Sequence, residues 1–311
     1  MRIRPRTVLA AVPLVLTAVA PATAAHAAFP GRNGVIAYAD SQTNQIIAVR
    51  PDGTGRGVIT PATDRLTREV RWAPDGQHLV FIRQNVNGRF RIFTVRADGS
   101  GLHQVATDGP DISDQRPAYS PDGRRIVFSR CGSSGCALAV MNADGSGRHQ
   151  LTGFRTGVAY NAEFSPDGRW ISFSYFFHAG YVARIYLIHP DGSGLHPITP
   201  AALEGAEADW APDGSALVFN SHAFVPNSSI WTVHPDGSGL RRLTSPVFEA
   251  NDYGPAYSPD GTRITFVSTR RAACRDFSCV DLWVMGADGS GQHRVSPRDN
   301  HVNRPSWQPL H

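Results

Sequence analysis

One pentapeptide is spelled five times along this chain. Trp72-Ala73-Pro74-Asp75-Gly76 returns as Tyr119-Ser120-Pro121-Asp122-Gly123, Phe164-Ser165-Pro166-Asp167-Gly168, Trp210-Ala211-Pro212-Asp213-Gly214 and Tyr257-Ser258-Pro259-Asp260-Gly261, with a shortened copy, Trp307-Gln308-Pro309, near the end. Successive prolines stand 47, 45, 46, 47 and 50 residues apart. A second motif keeps the same beat: Asp52-Gly53-Thr54-Gly55, then Asp-Gly-Ser-Gly from Asp98, Asp144, Asp191, Asp236 and Asp288. A unit of this length with two tight turns holds four short strands, and such units bury their faces only against one another. The expected fold is therefore all-β, a six-bladed β-propeller of four-stranded blades.

Each repeat decodes strand by strand. Strand a ends in the aromatic residue before Pro-Asp-Gly; proline presets φ for the turn and glycine takes its left-handed position. Strand b carries Tyr38, Phe81, Phe128, Phe173, Phe219 or Phe266, and strand c carries Ile46, Ile92, Leu138, Ile185, Ile230 or Leu282. Strand d follows the second turn, with Ile59, Val105, Leu151, Ile198, Leu243 or Val295. The repeated aspartates read as turn residues whose carboxylates accept nearby backbone N–H groups. The chain's N-terminal part supplies strands b, c and d without strand a, and its C-terminal part supplies strand a alone, from Arg304 to Gln308. Joining them closes a sixth blade and removes two sheet edges.

The repeat resembles the TolB-type β-propeller, whose blade signature is aromatic-Ser-Pro-Asp-Gly followed by Asp-Gly-Ser-Gly and Leu-Thr. The resemblance covers about residues 30–311 and implies a six-bladed ring in the bacterial envelope. The expected arrangement is a propeller without the α/β domain that precedes the ring in TolB. Similar repeats serve binding proteins, the propeller halves of serine peptidases and some polysaccharide lyases, so the fold alone does not choose among them.

Residues 1–27 read as a cleavable signal peptide: Arg2, Arg4 and Arg6 precede an apolar run from Val8 to Ala20 and a small-residue site at Ala25-His26-Ala27. Residues 28–311 are then one propeller domain, exported to the cell envelope, periplasm or exterior and expected to be monomeric. All 30 basic residues are arginine, which excludes a lysine Schiff base and a P-loop lysine. Removing the signal lowers the formal net charge from +4 to +1, and the remaining arginines are scattered, so nucleic acid is not an expected partner. No apolar stretch after residue 27 is long enough to span a bilayer. In an exported chain the four cysteines read as two local disulfides. Numbering as blade one the blade that begins with the Trp72 repeat, they sit in the b-to-c loops of the opposed blades two and five, which pairs Cys131 with Cys136 and Cys274 with Cys279.

Within an up-and-down blade, both tight-turn classes fall on one face of the ring, while the b-to-c loops and d-to-a connections fall on the other. Length and composition vary only in the second set, making that face the expected binding surface. The channel mouth there holds Glu69, Arg116, Glu163, Glu207, Asp209, Asp252, His301 and Arg304. One reading makes these a polar ligand site, with Arg116 and Arg304 as carboxylate clamps; the other has the charges pairing among themselves. The aromatic segment with Phe176, Phe177 and Tyr181 is a candidate partner surface, against a reading in which its rings pack within the blade. No Gly-x-Ser-x-Gly elbow or His-Glu-x-x-His helix occurs, so no catalytic residue, metal or cofactor is assigned. The expectation is a binding or scaffolding module for an envelope protein, peptide or polar glycan. The alternative is a glycan lyase or hydrolase using carboxylates and His301 at the channel.

Overall fold

A computed structural model describes residues 29–105, 109, 111–154, 157–176, 183–221, 227–246, 250–270, 280–296 and 302–311. It contains six four-stranded antiparallel sheets, each running a-b-c-d in hydrogen-bonded order. In the sixth sheet the C-terminal strand Val302–Leu310 pairs with Arg32–Asp40, so the two ends of the chain share a blade. One 3₁₀ turn, Ala201–Leu203, precedes strand a of blade four.

The motif residues fold as their chemistry dictates. Asp75 Oδ1 accepts the Gln77 and His78 N–H groups at 2.8 and 3.1 Å, which fixes the Pro-Asp-Gly turn. Where serine precedes the proline it adds a second lock: Ser120 Oγ donates to Asp122 at 2.5 Å and accepts the Arg125 N–H at 2.9 Å. In the second turn Asp98 Oδ1 accepts both the N–H and the hydroxyl of Ser100, at 2.9 and 2.7 Å. The same pair recurs at Asp144, Asp191 and Asp236, and these hydrogen bonds hold all four carboxyls below their ordinary range.

The outer strand is shorter than the sequence suggests. Strand d pairs over two residues in every blade, Gly57–Val58 being the sixth blade's example. The apolar residue expected inside it comes just after; Ile198 N, for instance, donates to Ile185 O at 2.9 Å. The following Thr199 hydroxyl then accepts the Ile185 N–H at 3.0 Å, a contact repeated by Thr60, Thr152, Thr244 and Ser296. A short outer strand tied down by a side chain leaves little edge for another chain to extend.

Apolar side chains fill the wedges between blades rather than one central core. The strand-b aromatics Phe81, Phe128, Phe173, Phe219 and Phe266 are fully buried, as are Ile46, Ile92, Leu138, Ile185, Ile230 and Leu282 of strand c. Six clusters result, each shared by two neighbouring blades; the cluster of Ile36, Tyr38 and Trp307 with Val267 and Leu282 joins the closing blade to blade five. The ring is thus rigid at the blade interfaces, and each strand a is held facing the channel.

Candidate functional site at the channel mouth

Every strand a is bulged at the same place. Its pairing with strand b slips between Arg68 and Arg71, Gln115 and Ala118, Tyr160 and Glu163, Ala206 and Asp209, and Tyr253 and Ala256, and the closing blade slips likewise at Ala37/Ala39. At each slip the residue five before the proline has a positive φ: Glu69 (58°), Arg116 (56°), Asn161 (57°), Glu207 (58°), Gly254 (58°) and Arg304 (31°). A left-handed non-glycine residue costs about 1–2 kcal/mol, so five of them at equivalent positions mark a feature the ring maintains. Such a bulge re-aims its side chain, and here it brings residues of six separate blades into contact.

These six residues form the upper layer of the channel in two groups. Arg116 is the hub of the first: it hydrogen-bonds Asn161 Oδ1, lies 3.3 Å from Glu69 Oε1, and holds its guanidinium 4.9 Å from the centre of the Tyr160 ring. Glu207 is the hub of the second: Oε1 meets Arg304 at 2.7 Å, and Oε2 accepts the Gly254 N–H at 2.9 Å. With its amide nitrogen turned toward Glu207, Asn220 also donates to Oε2 at 3.1 Å. Burial works against the Glu207 charge, but Arg304 and Arg116 outweigh it and hold the carboxyl below its ordinary range. Burial lowers Arg304 in turn, with Glu207 opposing.

Two residues further along each strand, toward the Pro-Asp-Gly face, lies a second layer. Arg71 Nε donates to Glu163 Oε1 at 2.7 Å, and Tyr257 N donates to Asp209 Oδ2 at 2.8 Å. Ser306 Oγ accepts the Trp72 N–H at 3.1 Å, tying the closing blade to blade one. Asp209 shares this layer with Glu163, and its carboxyl is pushed up to about 7, first by burial and then by Glu163, against the pull of Arg71. Phe29 covers the layer from the turn face, beside a cavity of only 50 Å³ also lined by Arg71, Glu163 and Asp209.

Above the charged layers the mouth opens into two cavities. The larger, 470 Å³, is lined by Arg116, Glu207, Asn220, Ser228 and Asn251 with the rings of Tyr160, Phe176 and Tyr253. The smaller, 240 Å³, adjoins it between Glu69, Arg304, Asn303 and Tyr253. The first lies within the 300–1,000 Å³ common for small-ligand sites. Tyr160 is fixed from behind by the Cys131–Cys136 disulfide, its hydroxyl 3.2 Å from Cys136 Sγ. Phe176 meets the Tyr160 ring edge-on at 6.3 Å.

The structure brings Glu69, Arg116, Glu207 and Arg304 together in the upper layer, and Glu163 and Asp209 in the lower one. Arg116 and Arg304 are not free clamps, since Glu69 and Glu207 already engage them. Asp252 departs from the expected placement: it is fully buried within blade five, bound to Arg270 of that blade and away from the channel. Phe176 lines the larger cavity, whereas His301, Phe177, Tyr181, Cys274 and Cys279 lie outside the described residues. Arg71, a further residue the sequence places at the mouth, pairs with Glu163, and the uncharged wall of Asn220, Ser228, Asn251 and Tyr253 was not among the candidates. Those uncharged residues carry no signal by type; Arg71 and Glu163 share an offset of three residues before proline, the one clue to a layer. Among the described residues, no group of three or more His, Cys, Asp and Glu side chains could hold a metal, and no helix is long and apolar enough to cross a membrane.

No protein-family model matches the chain. A protein TolB homolog of Chlorobium luteolum is 29% identical over 149 residues, 48% of this chain and 32% of that protein. The Tol-Pal system protein TolB of Gluconobacter oxydans is 36% identical over 102 residues, 31% of this chain and 22% of that protein. The chain thus spans a third or less of the length of these two relatives. An uncharacterized protein of Agrobacterium fabrum is 27% identical over 253 residues, 79% of this chain and 83% of its own length. Among solved structures, TolB from Acinetobacter baumannii superposes with a TM-score of 0.75 at 17% identity, over 89% of this chain and 67% of that one. A putative TolB from Agrobacterium tumefaciens gives 0.65 at 22% identity, over 89% and 99%. The fold is that of a TolB-like six-bladed β-propeller.

Proposed function

We propose that this TolB-like propeller is an exported binding module of the bacterial envelope or exterior, released from a signal peptide at residues 1–27 and engaging its partner at the variable-face mouth. The observation that carries the reading is the 470 Å³ cavity, which stands on a floor of side chains already paired with one another. A rigid receptacle whose floor needs no ligand for its own stability binds without having to rearrange. Export is supported by the Arg2-Arg4-Arg6 leader pattern and by the Cys131–Cys136 disulfide, which suits an oxidising compartment. A role among envelope components is supported by the likeness to a Tol-Pal system protein, over the part of it that this chain matches.

The arrangement favours binding over glycan cleavage. Glu163 and Asp209 lie beneath the upper layer, beside a cavity of 50 Å³, and a general acid must reach the atom it protonates. The test is retention of envelope extract on the immobilised chain, compared with Phe176→Ala and Asn251→Ala variants of unchanged melting temperature. A component held by the wild type and lost by both variants supports the mouth as the binding site. Equal retention by all three removes that support.

A further inference from the structure

The charges lining the larger cavity are consumed within the protein. Arg116 is engaged by Asn161 and Glu69, and Glu207 by Arg304, the Gly254 N–H and Asn220. A charged ligand group would compete with one of these partly buried pairs. Among the described residues, what remains on offer is uncharged. The Asn251 carbonyl oxygen is occupied by the Ser228 N–H at 2.8 Å, which fixes the amide and leaves its NH₂ without an acceptor among the described residues. Phe176 and Tyr253 supply aromatic surface to the same space.

Aromatic surface beside a few oriented neutral donors and acceptors matches a molecule with apolar C–H faces and a hydroxyl-bearing edge. We propose that the mouth cavity takes a neutral pyranose unit of a glycan, stacked on Phe176 and Tyr253 and read by the Asn251 amide. The proposal rests on the mouth being the binding site and adds the chemical class of the ligand. It sets the aromatic wall, rather than the arginines, as the source of affinity. It also makes discrimination against charge a property of the floor, where each charge already faces an opposite one.

The experiment is calorimetric titration of the full purified chain with three neutral trisaccharides, cellotriose, maltotriose and chitotriose. The comparison probes are the cationic trimer of glucosamine, anionic trigalacturonate and a hexapeptide with free termini. At least one neutral sugar should bind, with the charged probes weaker by about tenfold or more, the size of a lost charge-assisted contact. Phe176→Ala should weaken that sugar about threefold to tenfold, as expected for one ring contact. Asn251→Ala should weaken it as well, both variants keeping the wild-type melting temperature. A charged trimer or the peptide binding as tightly as every neutral sugar, with dependence on Phe176, overturns the neutral-ring inference and leaves the mouth as a binding site. If no neutral sugar binds, the inference is likewise overturned, and retention of envelope extract then decides the fate of the mouth separately.

Discussion

Glu207 and Arg304 meet at 2.7 Å across blade five, passing over Gly254, whose N–H donates to the same carboxylate. Because blade five has no side chain at this position, blades four and six are bridged directly. Arg71 and Glu163 make the corresponding bridge in the layer below, from blade one to blade three across Ala118, also at 2.7 Å.

Removing one member of the upper pair leaves the other in a poorly solvated site, with Arg304 9% and Glu207 21% exposed. Arg304→Ala should therefore cost about 3 kcal/mol, while Arg304→Met combined with Glu207→Gln should cost less than Arg304→Ala alone. Urea unfolding of the two variants measures this. Equal losses would show that packing, not pairing, is what Arg304 supplies.

The two layers should respond to pH in opposite directions. Glu207 is held below the ordinary carboxyl range, so its stabilisation is present above the unfolded pKa and fades as acid protonates it. Asp209, pushed up to about 7, keeps its proton in the folded state to a higher pH than in the unfolded chain. Its contribution is fully present below about pH 4 and is lost as pH rises through about 7. Asp209→Asn cannot ionise, yet keeps an oxygen to accept the Tyr257 N–H. That variant should unfold near the wild-type temperature at about pH 4 and above it at about pH 9. A temperature difference that does not change with pH would count against the assignment.

The Cys131–Cys136 bond joins directly opposed residues of the b–c hairpin in blade two, with a sequence separation of 5. So short a loop stabilises by about 2 kcal/mol, and the larger effect is local, because Cys136 backs Tyr160 in the cavity wall. Replacing both cysteines by serine should lower the melting temperature by several degrees, about 2–4 °C per kcal/mol for a domain of this size. It should also weaken mouth binding more than an equally destabilising core change remote from the mouth. Binding that follows stability alone would remove the role given to Tyr160.

Two glycines with similar backbone demands should tolerate alanine differently. At Gly254 (φ +58°) an added Cβ would meet nothing nearer than Arg304 Cγ at 3.5 Å, whereas at Gly145 (φ +88°) it would lie 2.0 Å from the Val105 carbonyl oxygen. Gly254→Ala should cost about 1–2 kcal/mol, the left-handed penalty alone. Gly145→Ala should cost about 1–3 kcal/mol more, from overlap with a backbone that cannot easily yield. Chemical denaturation of the two variants ranks them directly, and equal costs would mean that the turn relaxes freely.

The blades were legible because their signals are local. Ser120, Asp122 and Gly123 make the contacts that fix their own turn within five residues of one another, and Phe128 falls at a constant offset from them. Period and residue type therefore determine six blades, their strand order and the pairing of Cys131 with Cys136. The mouth was legible only in part. Glu69, Arg116, Glu207 and Arg304 announce themselves as charges on the inner strands, but nothing in their spacing says which of them meet. Asp252 carries the same chemistry and turns into its blade toward Arg270, because it stands two residues before the bulge rather than on it.

A closed ring with one regular and one variable face is written in residue types alone, since each turn is a short-range matter of proline, glycine and hydrogen-bonding side chains. That the channel charges pair across blades beneath an aromatic-walled cavity came from contacts between strands far apart in the chain. Glu207 and Arg304 stand 97 positions apart in the chain, and closure of the ring is what brings them to 2.7 Å.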